Sequence, residues 1–148
     1  MDKPLLVVIG NGMAGVRLVE RLCELAPTRY RIVVIGDEAQ PAYNRIMLTP
    51  VLAGEKRLAD ITTHDSAWYE RYNVTLIAGS PVTAIDREAR TLSVNGQKLG
   101  YDRLVIATGS LPLCRRCRGR ICRVSMVFAI SKTLRAFCMR LDRGNRRW

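Results

Sequence analysis

Acidic residues all but vanish from the last quarter of this 148-residue chain: residues 1–112 hold 12 Asp+Glu against 13 Lys+Arg, whereas residues 113–148 hold one against 11. Nearly all of the net charge of +11 therefore sits in the tail, and the two parts need separate readings. Long apolar runs are also missing. Residues 4–12 and 104–107 fall far short of the roughly 20 residues that cross a bilayer. No basic, apolar, small-residue signal opens the chain, so a transmembrane segment is not expected and a cytoplasmic location follows by default. Cysteine is scarce before the break, where Cys23 stands alone, and both phenylalanines, Phe128 and Phe137, lie after it.

What is present in the first part is a nucleotide-binding pattern. Residues 5–9 form an unbroken apolar run rich in β-branched side chains, which suits a strand buried on both faces in a parallel sheet. It leads straight into Gly10-Asn11-Gly12-Met13-Ala14-Gly15. Val16, Val19, Leu22, Cys23 and Ala26 then recur at helical spacing until Pro27, and residues 31–35 supply a second buried strand. Gly10 permits the tight turn, Gly12 lets backbone approach a pyrophosphate, and Gly15 lets the helix pack closely on the sheet. The phosphates then face a helix amino terminus, whose free N–H groups and positive dipole end stabilise anionic charge. Asp37, 22 residues after Gly15, stands near the spacing of a ribose-binding acid, with Glu38 as its neighbour and fallback. An acid there favours an unphosphorylated ribose, hence NAD or FAD over NADP at this turn.

From Asn73 the pattern changes to short β segments: 74–77, 82–86 and 91–94, the last closed by the turn pair Asn95-Gly96. These read as a β meander inserted before a last parallel strand at 104–107, which ends in Ala107-Thr108-Gly109. The single histidine, His64, reads as a surface or helix-capping residue, and Trp68, Tyr69 and Tyr72 as core and rim packing at helical spacing. Cys23, on the apolar side of the first helix, reads as a small buried hydrophobe. No catalytic acid, base or nucleophile can be nominated.

Three segments together carry a family resemblance that covers essentially all of residues 4–112. They are Val8-Ile9-Gly10-Asn11-Gly12-Met13-Ala14-Gly15, Gly36-Asp37-Glu38 leading to Pro41-Ala42-Tyr43-Asn44-Arg45, and Tyr101-Asp102-Arg103-Leu104-Val105-Ile106-Ala107-Thr108-Gly109. The chain resembles pyridine-nucleotide-dependent FAD oxidoreductases of the ferredoxin-reductase and nitrite-reductase kind. The wording of the glycine turn and of Tyr43-Asn44-Arg45-Ile46-Met47-Leu48-Thr49-Pro50 is most like the large-subunit branch of the NAD(P)H nitrite reductases. The resemblance implies an α/β, Rossmann-like FAD-binding domain, with NAD(P)H used by the complete enzyme and electrons passed to an acceptor such as nitrite. It implies that Gly10, Gly12, Met13, Ala14 and Gly15 hold FAD phosphates and that Asp37 or Glu38 holds the adenosine ribose. The loop around Arg45 would approach the flavin, Val82 would meet the adenine through its backbone, and Ala107, Thr108 and Gly109 would close over the cofactor. Two departures stand out: Pro50 occupies the place where ferredoxin-reductase relatives keep a lysine, and no cysteine pair stands where disulfide reductases keep theirs.

The tail, residues 113–148, admits sharper readings that its spacing weakens. Cys114, Cys117, Cys122 and Cys138 contain only one two-residue gap where structural zinc uses two, so no metal is expected. Arg115, Arg116, Arg118, Arg120 and Arg123 imply nonspecific, salt-sensitive nucleic-acid binding, but without a recognisable module or interleaved aromatics. Reading permitted codons for residues 116–135 in a shifted frame yields a Pro-Gly linker and then an acidic helix-like run. The expectation is therefore a partial FAD-binding domain over 1–112 and a disordered or poorly packed basic tail over 113–148 produced by a frame shift. Such a chain stops before the NAD(P)H-binding domain and is expected to turn over little by itself. The rivals are a non-catalytic dinucleotide-binding regulator whose tail docks on nucleic acid or a membrane surface, and an FAD subunit completed by a partner.

Overall fold

The structure is a computed structural model that describes residues 3–110, so the expectations for 113–148 lie outside the described residues. The described residues divide into two compact units, one of residues 3–44 with Thr62–Gly109, the other of Arg45–Ile61 with Ser110. In the first unit, β1 (Leu5–Ile9) feeds α1 (Met13–Leu25), and β2 (Arg31–Ile35) follows. The short helix α3 (Ser66–Arg71) leads to β3 (Val74–Ile77). Next come β4 (Val82–Asp86), β5 (Thr91–Val94), β6 (Gln97–Gly100) and β7 (Arg103–Ile106). In the second unit a 3₁₀ turn at Arg45–Met47, the five-residue helix α2 (Leu48–Leu52) and a second 3₁₀ turn at Leu58–Ile61 follow one another. There Arg57 closes onto Asp60, with Nη2 2.9 Å from Oδ1.

Four strands form a parallel sheet in the order β3-β2-β1-β7. β1 therefore lies inside the sheet, which is why its run carries no polar residue: both faces are covered. One face packs Leu6, Val8, Ile32, Val34 and Val74 against Val19 and Cys23 of α1 and Tyr69 of α3. The opposite face packs Val7, Ile9, Val33 and Ile35 against Leu92 and Val94 of β5. The antiparallel sheet β4-β5-β6 thus serves as the third layer, in the place of a second set of helices.

The structure redraws the expected meander at both ends. Val74–Ile77 pairs in parallel with β2, so it belongs to the main sheet, and the third strand of the meander is Gln97–Gly100. Pairing of 74–77 with a strand some forty residues earlier leaves no local mark, and the exposed, polar β6 lacks the apolar alternation that announces a strand. The Asn95-Gly96 turn is as expected: Val94 pairs with Gln97, and both turn residues have positive φ (51° and 77°), as a two-residue hairpin requires. Among the described residues no helix is long and apolar enough to cross a membrane.

Candidate functional site

The site is built where β1 ends. The Gly10 N–H donates to the Ile35 carbonyl at 2.8 Å and the Ala107 N–H to the Ile9 carbonyl at 2.7 Å, so the mouths of β1, β2 and β7 are tied together. Gly10 turns the chain at φ +111°, and a Cβ there would lie 2.2 Å from the Ala107 carbonyl oxygen. At Gly15, on the buried side of α1, a Cβ would lie 2.1 Å from the Gly10 carbonyl oxygen. Both contacts are with backbone, which cannot swing aside, so two of the three fingerprint glycines are required by the protein's own packing. The structure therefore brings Gly10, Gly15, Ala107 and Thr108 together.

Gly12 differs in kind. It caps α1 in an ordinary extended conformation, φ −85° and ψ −179°, and a Cβ built on it would meet nothing within 4 Å. No side chain caps the helix, no acid lies in its first turn, and Met13 and Ala14 are exposed. The first turn of this 13-residue helix thus has neither a capping side chain nor an acid against its N–H groups, the arrangement that receives an anion.

Beside this turn a cleft of about 300 Å³ opens between the sheets, lined by Ile9, Val82, Thr83, Ala84, Ile85, Ile106 and Thr108. Val82 and Thr108, both implied by the family resemblance, share it. Its walls are mostly apolar and Ile106 is 62% exposed, suited to a flat heterocycle rather than to a charged group.

Both candidate ribose acids lie in the loop that follows β2. The Tyr43 hydroxyl donates to Glu38 Oε2 at 2.7 Å, and Glu38 is half-buried while Asp37 is exposed. Backbone hydrogen bonds hold the same loop from the other side, with Ser80 N–H donating to the Gly36 carbonyl at 2.8 Å and Gly79 N–H to the Glu38 carbonyl at 2.9 Å. Arg45 belongs to the second unit.

His64 is less peripheral than expected. Its ring packs edge-on against Trp68 at 4.4 Å, Nδ1 lies 3.0 Å from Thr63 Oγ1, and Nε2 lies 3.8 Å from Glu20 of α1. Burial pushes its imidazole below the ordinary value, with Glu20 working in the opposite direction. The residue that caps α3 is Asp65, whose carboxylate accepts from the Trp68 N–H at 2.9 Å. Tyr69 is 3% exposed, as a core residue should be, but its hydroxyl also donates to Asn11 Oδ1 at 2.8 Å, a partner that packing periodicity could not reveal.

The profile of the pyridine nucleotide-disulphide oxidoreductases matches residues 5–136 of the sequence. The chain belongs to that family. Over 113 residues this chain is 42% identical to the assimilatory nitrate reductase electron transfer subunit of Bacillus subtilis (strain 168), covering 76% of this chain and 15% of that one. It is 35% identical over 114 residues to the NAD(P)H nitrite reductase large subunit of Klebsiella oxytoca, covering 76% of this chain and 12% of that one. The chain thus spans less than a sixth of the length of these relatives. Among solved structures it superposes on NADH:rubredoxin oxidoreductase from Clostridium acetobutylicum with a TM-score of 0.69 at 26% identity, covering 79% of this chain and 30% of that one. The resemblance read from three short segments and the α/β Rossmann-like fold are both established by these matches. Within residues 3–110 this family member has one cysteine, Cys23, which is buried, unpaired and held above its ordinary pKa by that burial.

Proposed function

We propose that the first unit is the FAD-holding part of an NAD(P)H-dependent flavoprotein oxidoreductase that delivers electrons to an acceptor such as nitrite. The observation that carries this reading is the uncapped amino terminus of α1 beneath the open face of Gly12, set beside an apolar cleft and an oriented acid. The three features match the three parts of an adenosine diphosphate: anionic phosphates, a flat adenine and a ribose with two hydroxyls. The N–H groups of Gly12, Met13, Ala14 and Gly15 face the pyrophosphate, and Gly10 keeps the turn tight enough for them to do so. Val82 and Thr108 border the adenine, and Ala107 and Gly109 close the strand end over it. Glu38, aligned by Tyr43, accepts from the ribose hydroxyls, with exposed Asp37 as a secondary acid.

The cofactor supplies acceptance of a hydride from NAD(P)H and onward passage of its two electrons, while the chain's own residues bind and orient it. Residues 1–112 are accordingly read as the cofactor-holding portion, with a cytoplasmic location as part of the same reading.

The test is an equilibrium titration of the purified 148-residue chain with FAD, alongside Gly12→Ala. Because Gly12 is neither strained nor crowded, the variant should fold as the parent does, and fewer unfolded conformations should even stabilise it by about 0.4–1 kcal/mol. Its Cβ stands where the pyrophosphate belongs, so FAD affinity should fall at least about tenfold. Equal affinity in both proteins, or no saturable binding in the parent, overturns the proposal.

A further inference from the structure

We infer that Asn11 and Tyr69 form a positioning pair that clamps the phosphate-binding turn to the acid-bearing loop, so that the two halves of the dinucleotide site keep a fixed spacing. This rests on the reading of that turn as a dinucleotide site. Asn11 sits between the two outer glycines of the turn, and its amide oxygen accepts from the Tyr69 hydroxyl at 2.8 Å across 58 residues of sequence. Ala42 lies in the segment that follows the acids. Ala42 in turn accepts from the Thr63 N–H at 2.8 Å and from Thr63 Oγ1 at 3.1 Å, which ties the segment to the approach to α3. On its other side Asn11 lies over Gly36, the residue just before Asp37. A Cβ at Gly36 would come within 3.0 Å of the Asn11 Cβ, so a larger residue would push the turn and the acid loop apart.

The Tyr69 hydroxyl therefore ties the turn to α3, and the Thr63–Ala42 bonds tie the approach to α3 to the segment after the acids. Apolar packing alone would keep Tyr69 in the core, but it would not need the hydroxyl. The Asn11 Nδ2 group is buried and without a hydrogen-bond partner, a cost that a merely structural Asn would not be expected to carry. Holding the amide in that orientation, oxygen toward Tyr69, is what the clamp requires.

The test compares the full chain with Tyr69→Phe, Asn11→Ala and Asn11→Asp, using two readouts. The first is amide hydrogen exchange without ligand at Val16 and Thr63, whose N–H groups donate to Gly12 and Ala42 respectively. Loss of the clamp in Tyr69→Phe and Asn11→Ala should speed exchange at both by about tenfold relative to the core amides of Val8 and Val34. Asn11→Asp keeps an acceptor for the Tyr69 hydroxyl and should exchange like the parent. Uniform acceleration at all four amides, or none, overturns the clamp. The second readout is affinity for FAD, measured where every variant is fully folded. Tyr69→Phe and Asn11→Ala should each weaken it by about tenfold, and a double variant carrying both should be little weaker than either. Affinity unchanged in Tyr69→Phe would mark the pair as purely structural and overturn the inference. Should the parent bind no FAD, the reading of the turn fails, and the exchange readout still decides whether the clamp exists.

Discussion

In the parallel sheet the neighbours Val7 and Val8 point to opposite faces and both are wholly buried, whereas in the antiparallel sheet burial alternates along β5, with Leu92 and Val94 inside and Thr91 and Ser93 half-exposed. The first sheet is clamped between layers and the second is itself one of those layers. The difference explains the two kinds of sequence signal, a continuous apolar run against an alternation. The proposed ligand-facing groups gather where the buried strands end and the covering sheet stands beside them, which is where the cleft lined by Ile9, Val82 and Thr108 opens.

The largest effect should come from the join at the mouth of the parallel sheet. Gly10→Ala brings a Cβ to within 2.2 Å of the Ala107 carbonyl oxygen at a φ of +111°, and should cost about 3 kcal/mol or more in urea unfolding. Next comes the alternation in β5. Leu92→Ala should cost about 2–5 kcal/mol, while Ser93→Ala on the opposite face should stay within about 0.5 kcal/mol. In β1 no such alternation should appear: Val7→Ala and Val8→Ala should each cost about 2 kcal/mol by the same measurement. A large difference between these two would mean that the antiparallel sheet does not seal its face of the parallel sheet.

At the acid loop, Glu38→Gln should weaken FAD binding by about tenfold and Asp37→Asn by less than about threefold, a contrast measurable in paired titrations. The reverse order would return the ribose to Asp37. The smallest effect should be the pH response of His64, which faces Thr63, Trp68 and Glu20, with Arg17 and Asp65 also acting on its charge. Burial lowers its folded pKa below 6.5, so the unfolded chain takes up protons first and stability falls as pH drops through 6.5 toward the folded value. Glu20, lowered by its hydrogen bond to Arg17, adds loss only below its ordinary 4.5. Thermal melts at pH 7.5 and 5.5 should therefore show a decline that His64→Gln diminishes.

The glycine turn was legible in the sequence because its requirements are backbone requirements: only glycine satisfies φ +111° at position 10 and the 2.1 Å approach at position 15. The apolar run of β1 and the Asn95-Gly96 turn were legible for equally local reasons. The membership of Val74–Ile77 in the main sheet was not, because pairing with Ile32–Ile35 is a long-range fact. β6 was hidden by its polar, exposed residues. Tyr69 was placed correctly in the core, but the use of its hydroxyl depended on Asn11, 58 positions away. The hydrogen bond from Tyr43 to Glu38 was likewise hidden, because no spacing rule supplies the direction of a side chain.

The central claim, that the uncapped start of α1 receives a dinucleotide pyrophosphate, is tested most directly by amide spectra of the nitrogen-15-labelled chain recorded with and without FAD. The account predicts that the amides of Gly12, Met13, Ala14 and Gly15 shift on addition of FAD, while those of Asn95 and Gly96 at the hairpin tip stay in place. Unmoved amides at the turn, or shifts confined to residues elsewhere, would contradict it.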